Sequence, residues 1–477
     1  MDKRCLFCSW NRKKDGLILY MKRQMELIQN NETSLDKLLN KVKQSFEAQT
    51  LDESCAGKFD VYILPDKQFI DQNCEKNTSI ENELSKVEVI DSLYIHFGYC
   101  PSLCKVCPYP KMDDKEKAED LLTKELAHNI ELVKGKKLKS LLFGGGTPND
   151  MSMATFATLI QEVKKCDLEE FEQVGIEIHP GLDYQKYIEL LAENFGPEKV
   201  HVSIGLQSTN DEKISQWRES KNNNPFLYTN EQVEGIIKDL QAQGIYQINI
   251  DLLLASFPDW EKEKKGIEKL IRQGVPKFTL YPIYGKYMHG QVIQKWSAEE
   301  LIKIRKEALE FFKKSGFYHA INPNYFVKNG DIANQESIVQ FDGGTLVAVG
   351  LGARGKVRSS KKDIVYENHR SLNEYEKSIN NGLLPTNKIY GQNKNLALSN
   401  EVRRLVFPEH KISKESVELL IELAAENKEK VLKIFNDYFV EENGEYDLTE
   451  EGKLILDIIQ GSLWECIKNN FKNVNTK

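Results

Sequence analysis

The sequence predicts an α/β fold built on a parallel sheet that closes, fully or in part, as a barrel. Three observations carry this. From Asp91 onward, six strand-like runs alternate with helix-like ones. Several of those strands are apolar on both faces, as strands covered on both sides must be. A dense group of cysteines then follows the first strand, at the end where parallel barrels carry their chemistry.

The elements follow in order. SLYIHF (92–97) reads as the first strand, and Leu122, Leu126, Ile130 and Val133 share one helical face before Gly135. LKSLLF (138–143) is the second strand, followed by a helix around Phe156, Leu159 and Val163. VGIEI (174–178) is the third, with a helix around Tyr187 to Leu191, and VHVSI (200–204) is the fourth. Asn230 is the expected N-cap of a helix running towards Gly244. YQINIDLLL (246–254) is the fifth strand and, after another helix, KFTLY (277–281) is the sixth.

On the N-terminal side, Leu17 to Glu47 reads as a helical hairpin broken near Asn30–Thr33, and residues 52–90 as loop and short strand. From Thr386 the chain is helix-rich and charged, with YDLTEEGKLILDII (446–459) expected as a short turn into a capped helix. The predicted organisation is an N-terminal helical extension (1–85), a barrel with an adjoining segment (86–385) and a helix-rich C-terminal domain (386–477).

Composition narrows the function. The chain has 477 residues, 40% of them hydrophobic and 29% charged, and no apolar run approaches the ~20 residues of a membrane span. A net charge of -7 opposes a protein whose main task is holding nucleic acid. The acidic EENGEY (441–446) likewise sets aside a DNA-reading winged helix in the tail and favours a lid over substrate. MDKRCLFCSWNRKKDG matches neither a secretory nor an organelle signal, so a cytoplasmic protein is expected.

Nine cysteines are present, three of them as Cys100-x3-Cys104-x2-Cys107 on a proline-bearing loop after the first strand. Such spacing gathers thiolates around metal instead of spreading them as disulfides. Three thiolates can hold three irons of a 4Fe-4S cubane and leave the fourth open. A zinc site stays open as an alternative, with His96 as a fourth ligand. Cys5-x2-Cys8 could join a metal site or act in redox chemistry, but with no second pair nearby an ordinary reduced thiol pair is the favoured reading.

With the lead YIHFGYC (94–100), this cysteine motif resembles the radical S-adenosylmethionine (SAM) superfamily, and within it the oxygen-independent coproporphyrinogen III oxidase-like branch. The resemblance implies a partial (β/α)6 TIM-type barrel, a 4Fe-4S cluster on Cys100, Cys104 and Cys107, and reductive cleavage of SAM. It also assigns residues in chain order. Gly144, Gly145, Gly146, Thr147 and Pro148 resemble the glycine turn that holds the SAM methionine moiety. Glu177, in EIHP, stands where the branch has E-x-N-P, with His179 replacing the Asn. Gln207, in SIGLQSTND, and Asp251, in INIDLLL, match SAM contacts after the fourth and fifth strands. Arg218 falls one residue earlier than the arginine that meets the SAM carboxylate in relatives. Tyr94 matches a residue that sandwiches a second SAM molecule.

Downstream, LYPIYG (280–285), VGLGARG (349–355), ENHRSLNEYEKSINNGLLP (367–385) and LTEEG (448–452) resemble later branch motifs. Pro108-Tyr109 departs from the Gly-Cys of coproporphyrinogen dehydrogenases, which leaves the substrate open. The resemblance implies a porphyrin-like or other extended organic substrate, changed by oxidative decarboxylation or methyl transfer. A low-potential donor such as flavodoxin or ferredoxin would supply electrons. A haem chaperone of the same branch and a zinc-dependent interaction protein are the competing readings.

Overall fold

Six parallel strands form the centre of the main sheet in a computed structural model of the chain. They are β1 (Ser92–Phe97), β2 (Ser140–Gly145), β3 (Gln173–Ile178), β4 (Val200–Gln207), β5 (Gln247–Leu254) and β6 (Lys277–Pro282). They lie side by side in chain order, which is the result of repeated strand-helix-strand crossovers. The structure describes residues 34–52, 79–104, 107, 110–219, 228–254, 257–282, 297–320, 324–331, 333–334, 338–339, 344–358, 363–391, 402 and 410–468.

All six predicted strands are present, and β4 runs three residues beyond VHVSI to end at Gln207. The crossovers carry helices α1 (Lys115–Val133), α2 (Met153–Val163), α3 (Gln185–Phe195), α4 (Asn230–Ala242) and α5 (Phe257–Arg272). Alternation explains the layering. Ile95 and Phe97, Leu141 and Phe143, Ile176 and Ile178, Ile204 and Leu206, Ile250 and Leu252 are all buried on one face. That face is covered by the helices, whose own buried stripes include Leu122, Leu126 and Ile130 on α1.

The sheet is larger than predicted. Strands β7 (Phe317–His319) and β8 (Tyr325–Lys328) extend it antiparallel beyond β6. On the other side β9 (Leu346–Val349) runs parallel to β1 and leads into the antiparallel β10 (Arg354–Arg358), β11 (Asp363–Asn368) and β12 (Thr386–Gly391). The result is a 12-stranded sheet in the order β7-β8-β6-β5-β4-β3-β2-β1-β9-β10-β11-β12. Among the described residues no ladder joins β7 to β12, so the barrel stays open.

Three local expectations are corrected. The cap of α4 is Thr229, not Asn230: its backbone is extended, its hydroxyl accepts from Gln232 N–H, and Gln232 Oε1 accepts from Thr229 N–H at 2.8 Å. Within 52–90 the described part includes the expected short strand, Val89–Ile90, but also a one-turn helix, Ile80–Leu84, capped by Ser79. Glu445–Leu448 is a strand, not a turn. It pairs with Ile412–Ser413 and Phe439–Glu442 around two helices, and Thr449 then caps the helix that follows. The hairpin with Phe439–Glu442 is local and turns on Asn443-Gly444, both at positive φ, a signal the sequence reading passed over; only the pairing with Ile412–Ser413 is distant in the chain.

The chain falls into two compact units, Met1–Ala48 and Gln49–Lys477. In the first, the described helix is Ser34–Glu47. In the second, Arg305 on the helix α6 (Ala298–Lys314) forms a buried pair with Asp457 at 2.7 Å and also donates to Leu454 O. This ties the C-terminal helices to the sheet domain. Among the described residues no helix is long and apolar enough to cross a membrane.

Candidate active site

Opposite its aliphatic face, the sheet carries polar side chains. Register sets His96 beside Gly144, Glu177 beside Ser203, Ser203 beside Asn249, and Asp251 beside Thr279. With a period of two along each strand, Tyr94 and His96, then Ser203 and Gly205, then Asn249 and Asp251 share this face, and beyond a register shift after Ile204 the Gln207 amide lies over Gly205, 2.9 Å from where its β-carbon would stand. The predicted Tyr94, Gly144, Glu177, Gln207 and Asp251, from five different strands, are therefore brought to one side.

The cysteine loop is moored to the glycine turn after β2. Gly146 N–H donates to Phe97 O at 2.8 Å and Thr147 N–H to Tyr99 O at 2.9 Å. A β-carbon at Gly146 would stand 2.2 Å from Tyr99 O, so only glycine permits this approach. The Thr147 hydroxyl donates to Cys100 Sγ at 3.2 Å. Cys104 lies in a short ladder opposite Arg218, and Cys107 N–H donates to Cys104 O. Cys100, Cys104 and Cys107 are free thiols. Pro108 and Tyr109 lie outside the described residues.

Cys100 is buried, and burial pushes its thiol up, opposed by the Lys111 charge and the Thr147 hydrogen bond. Burial pulls Lys111 the other way, yet Cys100, Cys107 and Cys104 around it hold its ammonium above the ordinary lysine value. Nothing in the sequence marked Lys111. Among the described residues, no three His, Cys, Asp or Glu side chains converge on a position for a single metal ion. His96, the candidate fourth zinc ligand, pairs its Nδ1 with the Tyr94 hydroxyl at 3.0 Å. Burial, reinforced by Lys111 and Arg370, lowers His96 to about 4 and keeps the ring neutral.

Glu177 closes the turn from the next strand. Its Oε2 accepts from Gly145 N–H at 2.9 Å. A β-carbon at Gly144 would lie 2.9 Å from both that oxygen and the Tyr94 ring, so Tyr94 and Glu177 flank this glycine. His179, which replaces the family's Asn, accepts at Nδ1 from Gly181 N–H and stands edge-on to Tyr228, at 5.4 Å between centroids. Tyr228 in turn donates to the carbonyls of Gly205 and Leu206 just ahead of Gln207. Asn149 clasps the backbone of His179 on both sides.

Gln207 ends β4 with φ at 69°, the left-handed region that non-glycine residues avoid. Asp251 accepts from Ser203 Oγ at 2.7 Å and Asn249 Nδ2 at 2.8 Å. Withdrawal from water raises its carboxyl, and hydrogen bonds from Ser203, Asn249 and Thr279 oppose the rise. For Arg218 the described geometry is its backbone ladder with Cys104; its side chain lies outside the described residues.

The later motifs meet elsewhere. Gly350 N–H, the Asn368 amide and the Tyr375 hydroxyl all donate to Glu125 on α1, whose carboxyl burial raises to about 7. These residues of VGLGARG and ENHRSLNEY thus brace β9, β11 and the following helix, Leu372–Asn380, against α1. Sequence reasoning missed Ser203 and Asn249; period-two alternation from Asp251 would have found Asn249, while Ser203 is its partner only through the sheet register. It missed Glu125 and Glu263, which only tertiary contacts bring to their partners.

A family model described as the radical SAM superfamily matches residues 94–289. The heme chaperone HemW of Lactococcus lactis subsp. lactis is 24% identical over 312 residues, covering 62% of this chain and 77% of its own. The oxygen-independent coproporphyrinogen III oxidase of Escherichia coli is 23% identical over 314 residues, covering 60% of this chain and 65% of that protein. Among solved structures, coproporphyrinogen III oxidase (HemN) from Escherichia coli superposes with a TM-score of 0.66 at 16% identity. It spans 87% of this chain and 99% of its own, which shows a shared fold.

Proposed function

We propose that the chain is a SAM-cleaving enzyme of the radical SAM superfamily, among relatives of the oxygen-independent coproporphyrinogen III oxidase type. In this reading Cys100, Cys104 and Cys107 hold a 4Fe-4S cluster, and the substrate is porphyrin-like or another extended organic molecule. Oxidative decarboxylation and methyl transfer are the two outcomes the branch supports. The observation that carries the reading is the mooring of the cysteine loop to a turn that Glu177 closes, on the face that also bears Gln207 and Asp251.

The donor set fits an iron–sulfur cluster. Three thiols stand on one loop, and the Lys111 ammonium and Thr147 hydroxyl face the charge they acquire on ionisation. When bound and reduced, the cluster with SAM supplies methionine and a 5'-deoxyadenosyl radical, using one electron from a low-potential donor such as flavodoxin or ferredoxin. The chain's own task is to bind, orient and exclude water. The N–H groups of Gly145, Gly146 and Thr147 are already engaged, so the turn and Glu177 offer a ligand acceptors, which suit the ammonium of an amino acid. Gln207, Arg218 and Asp251 orient the rest of SAM. Tyr94, fixed by neutral His96, is the stacking partner available to a second SAM.

The test is anaerobic incubation of reconstituted protein with dithionite and SAM. The expected products are 5'-deoxyadenosine and methionine, and Cys104→Ser should reduce both to background along with the cluster absorbance. A second reading, a haem-binding trafficking protein, is favoured by the heme chaperones HemW among the similar proteins. Stoichiometric haem binding with transfer to an acceptor, and no 5'-deoxyadenosine with any candidate substrate, would decide for it.

A further inference from the structure

We propose that Glu263, on α5, is a positioning residue for the cofactor: it locks the left-handed backbone of Gln207 by gripping the two residues that follow. The proposal rests on the reading that Gln207 meets SAM. Glu263 is fully buried, and its carboxylate is surrounded by donors from one short stretch. The Ser208 hydroxyl donates to Oε1, while Thr209 N–H and the Thr209 hydroxyl both donate to Oε2 at 2.6 Å.

The close packing is specific. A β-carbon at Gly266, one turn along α5, would stand 2.2 Å from the Thr209 side chain, so the helix has been cleared to admit this turn. A non-glycine residue at a φ of 69° is strained and persists only where its surroundings over-determine it. Here they do. Tyr228 holds the carbonyls of Gly205 and Leu206 on one side of Gln207, and Glu263 holds Ser208 and Thr209 on the other.

The same grip reaches the cluster loop. Ser208 Oγ accepts from Asn210 N–H, and Asn210 caps the helix Asp211–Trp217, which ends on the strand that pairs Arg218 with Cys104. One carboxylate on α5 therefore anchors the segment that delivers both Gln207 and Arg218.

The experiment measures the equilibrium dissociation constant for SAM in the cluster-reconstituted full chain, with iron content and cluster-free thermal unfolding alongside. Variants are Glu263→Gln, Gln207→Ala and the double variant. Glu263→Gln replaces an all-acceptor group with one that turns an N–H2 towards donors. It should weaken SAM binding about tenfold, a change of about 1.4 kcal/mol, at unchanged iron content. The double variant should lose less than the two single losses added together, because Glu263 acts on SAM chiefly through Gln207.

If Gln207→Ala weakens SAM binding while Glu263→Gln lowers only the unfolding temperature, Glu263 is structural and the proposal falls while the Gln207 reading stands. If Gln207→Ala leaves SAM binding at the wild-type value, the Gln207 reading falls and takes the proposal with it. Should Glu263→Gln not fold, Ser208→Ala and Thr209→Val each delete one of its donors. The same non-additivity with Gln207→Ala is expected, and wild-type SAM affinity in both would overturn the proposal.

Discussion

Two buried groups near the candidate site titrate in opposite senses. His96 falls from 6.5 to about 4, so it contributes stability that is present above about 6.5 and is lost as pH falls through about 4. Glu125 rises from 4.5 to about 7, so its contribution is complete below about 4.5 and is lost as pH rises through about 7. Each shift corresponds to about 3 kcal/mol at most. Urea denaturation at several pH values should therefore separate the variants. Relative to wild type, His96→Gln loses less stability on acidification from 6.5 to 4, and Glu125→Gln loses less on the way from 4.5 to 7. Parallel wild-type and variant profiles would refute the assignment of the buried charge.

At the scale of elements, the junction between the cysteine loop and the glycine turn decides whether a cluster can be held. Gly146→Ala forces a β-carbon to within 2.2 Å of a backbone carbonyl that cannot move aside without carrying Cys100 with it. The expected result is a folded protein with less than about half the wild-type iron and sulfide after reconstitution, in line with the cost of disturbing supports behind metal ligands. Full loading of Gly146→Ala would show the mooring to be dispensable. The strands at this junction were legible because β1 to β6 are six to eight residues long, apolar and separated by strong helices. Strands β7 to β12 were not: β7 to β10 have only three to five residues, β11 and β12 carry polar residues, and all of them are chosen by the edges they pair with. The capping Thr229 was missed in favour of its neighbour Asn230 because both residue types cap helices, and only backbone geometry separates them.

At the scale of the whole molecule, the Arg305–Asp457 pair joins the sheet domain to the C-terminal helices with both side chains withdrawn from water. Removing one charge strands the other. Asp457→Asn should cost about 3–5 kcal/mol, seen as a lower unfolding temperature and earlier proteolysis of the C-terminal segment. Arg305→Met with Asp457→Leu should recover most of that loss, since an apolar pair avoids the desolvation penalty. Continued lability of the double variant would mean that the geometry of the pair, and not its charge balance, holds the segment.

The alternation of strand and helix, the parallel central sheet and the cysteine triad were legible along the chain. Those depend on periodicity and on spacing along the chain, which the chain carries locally. Gly144 to Pro148, Glu177, Gln207 and Asp251 were named through the resemblance to the radical SAM superfamily. Only the tertiary structure decided how they are held. Thr147 is turned to Cys100, Glu177 is drawn to Gly145, and Lys111 is set among three thiols. Glu125 gathers the later motifs, and Glu263 fixes the turn after Gln207. Lys111 apart, these partners lie tens to hundreds of residues from one another, and a buried carboxylate finds its donors only when the sheet has brought separate strands and helices together.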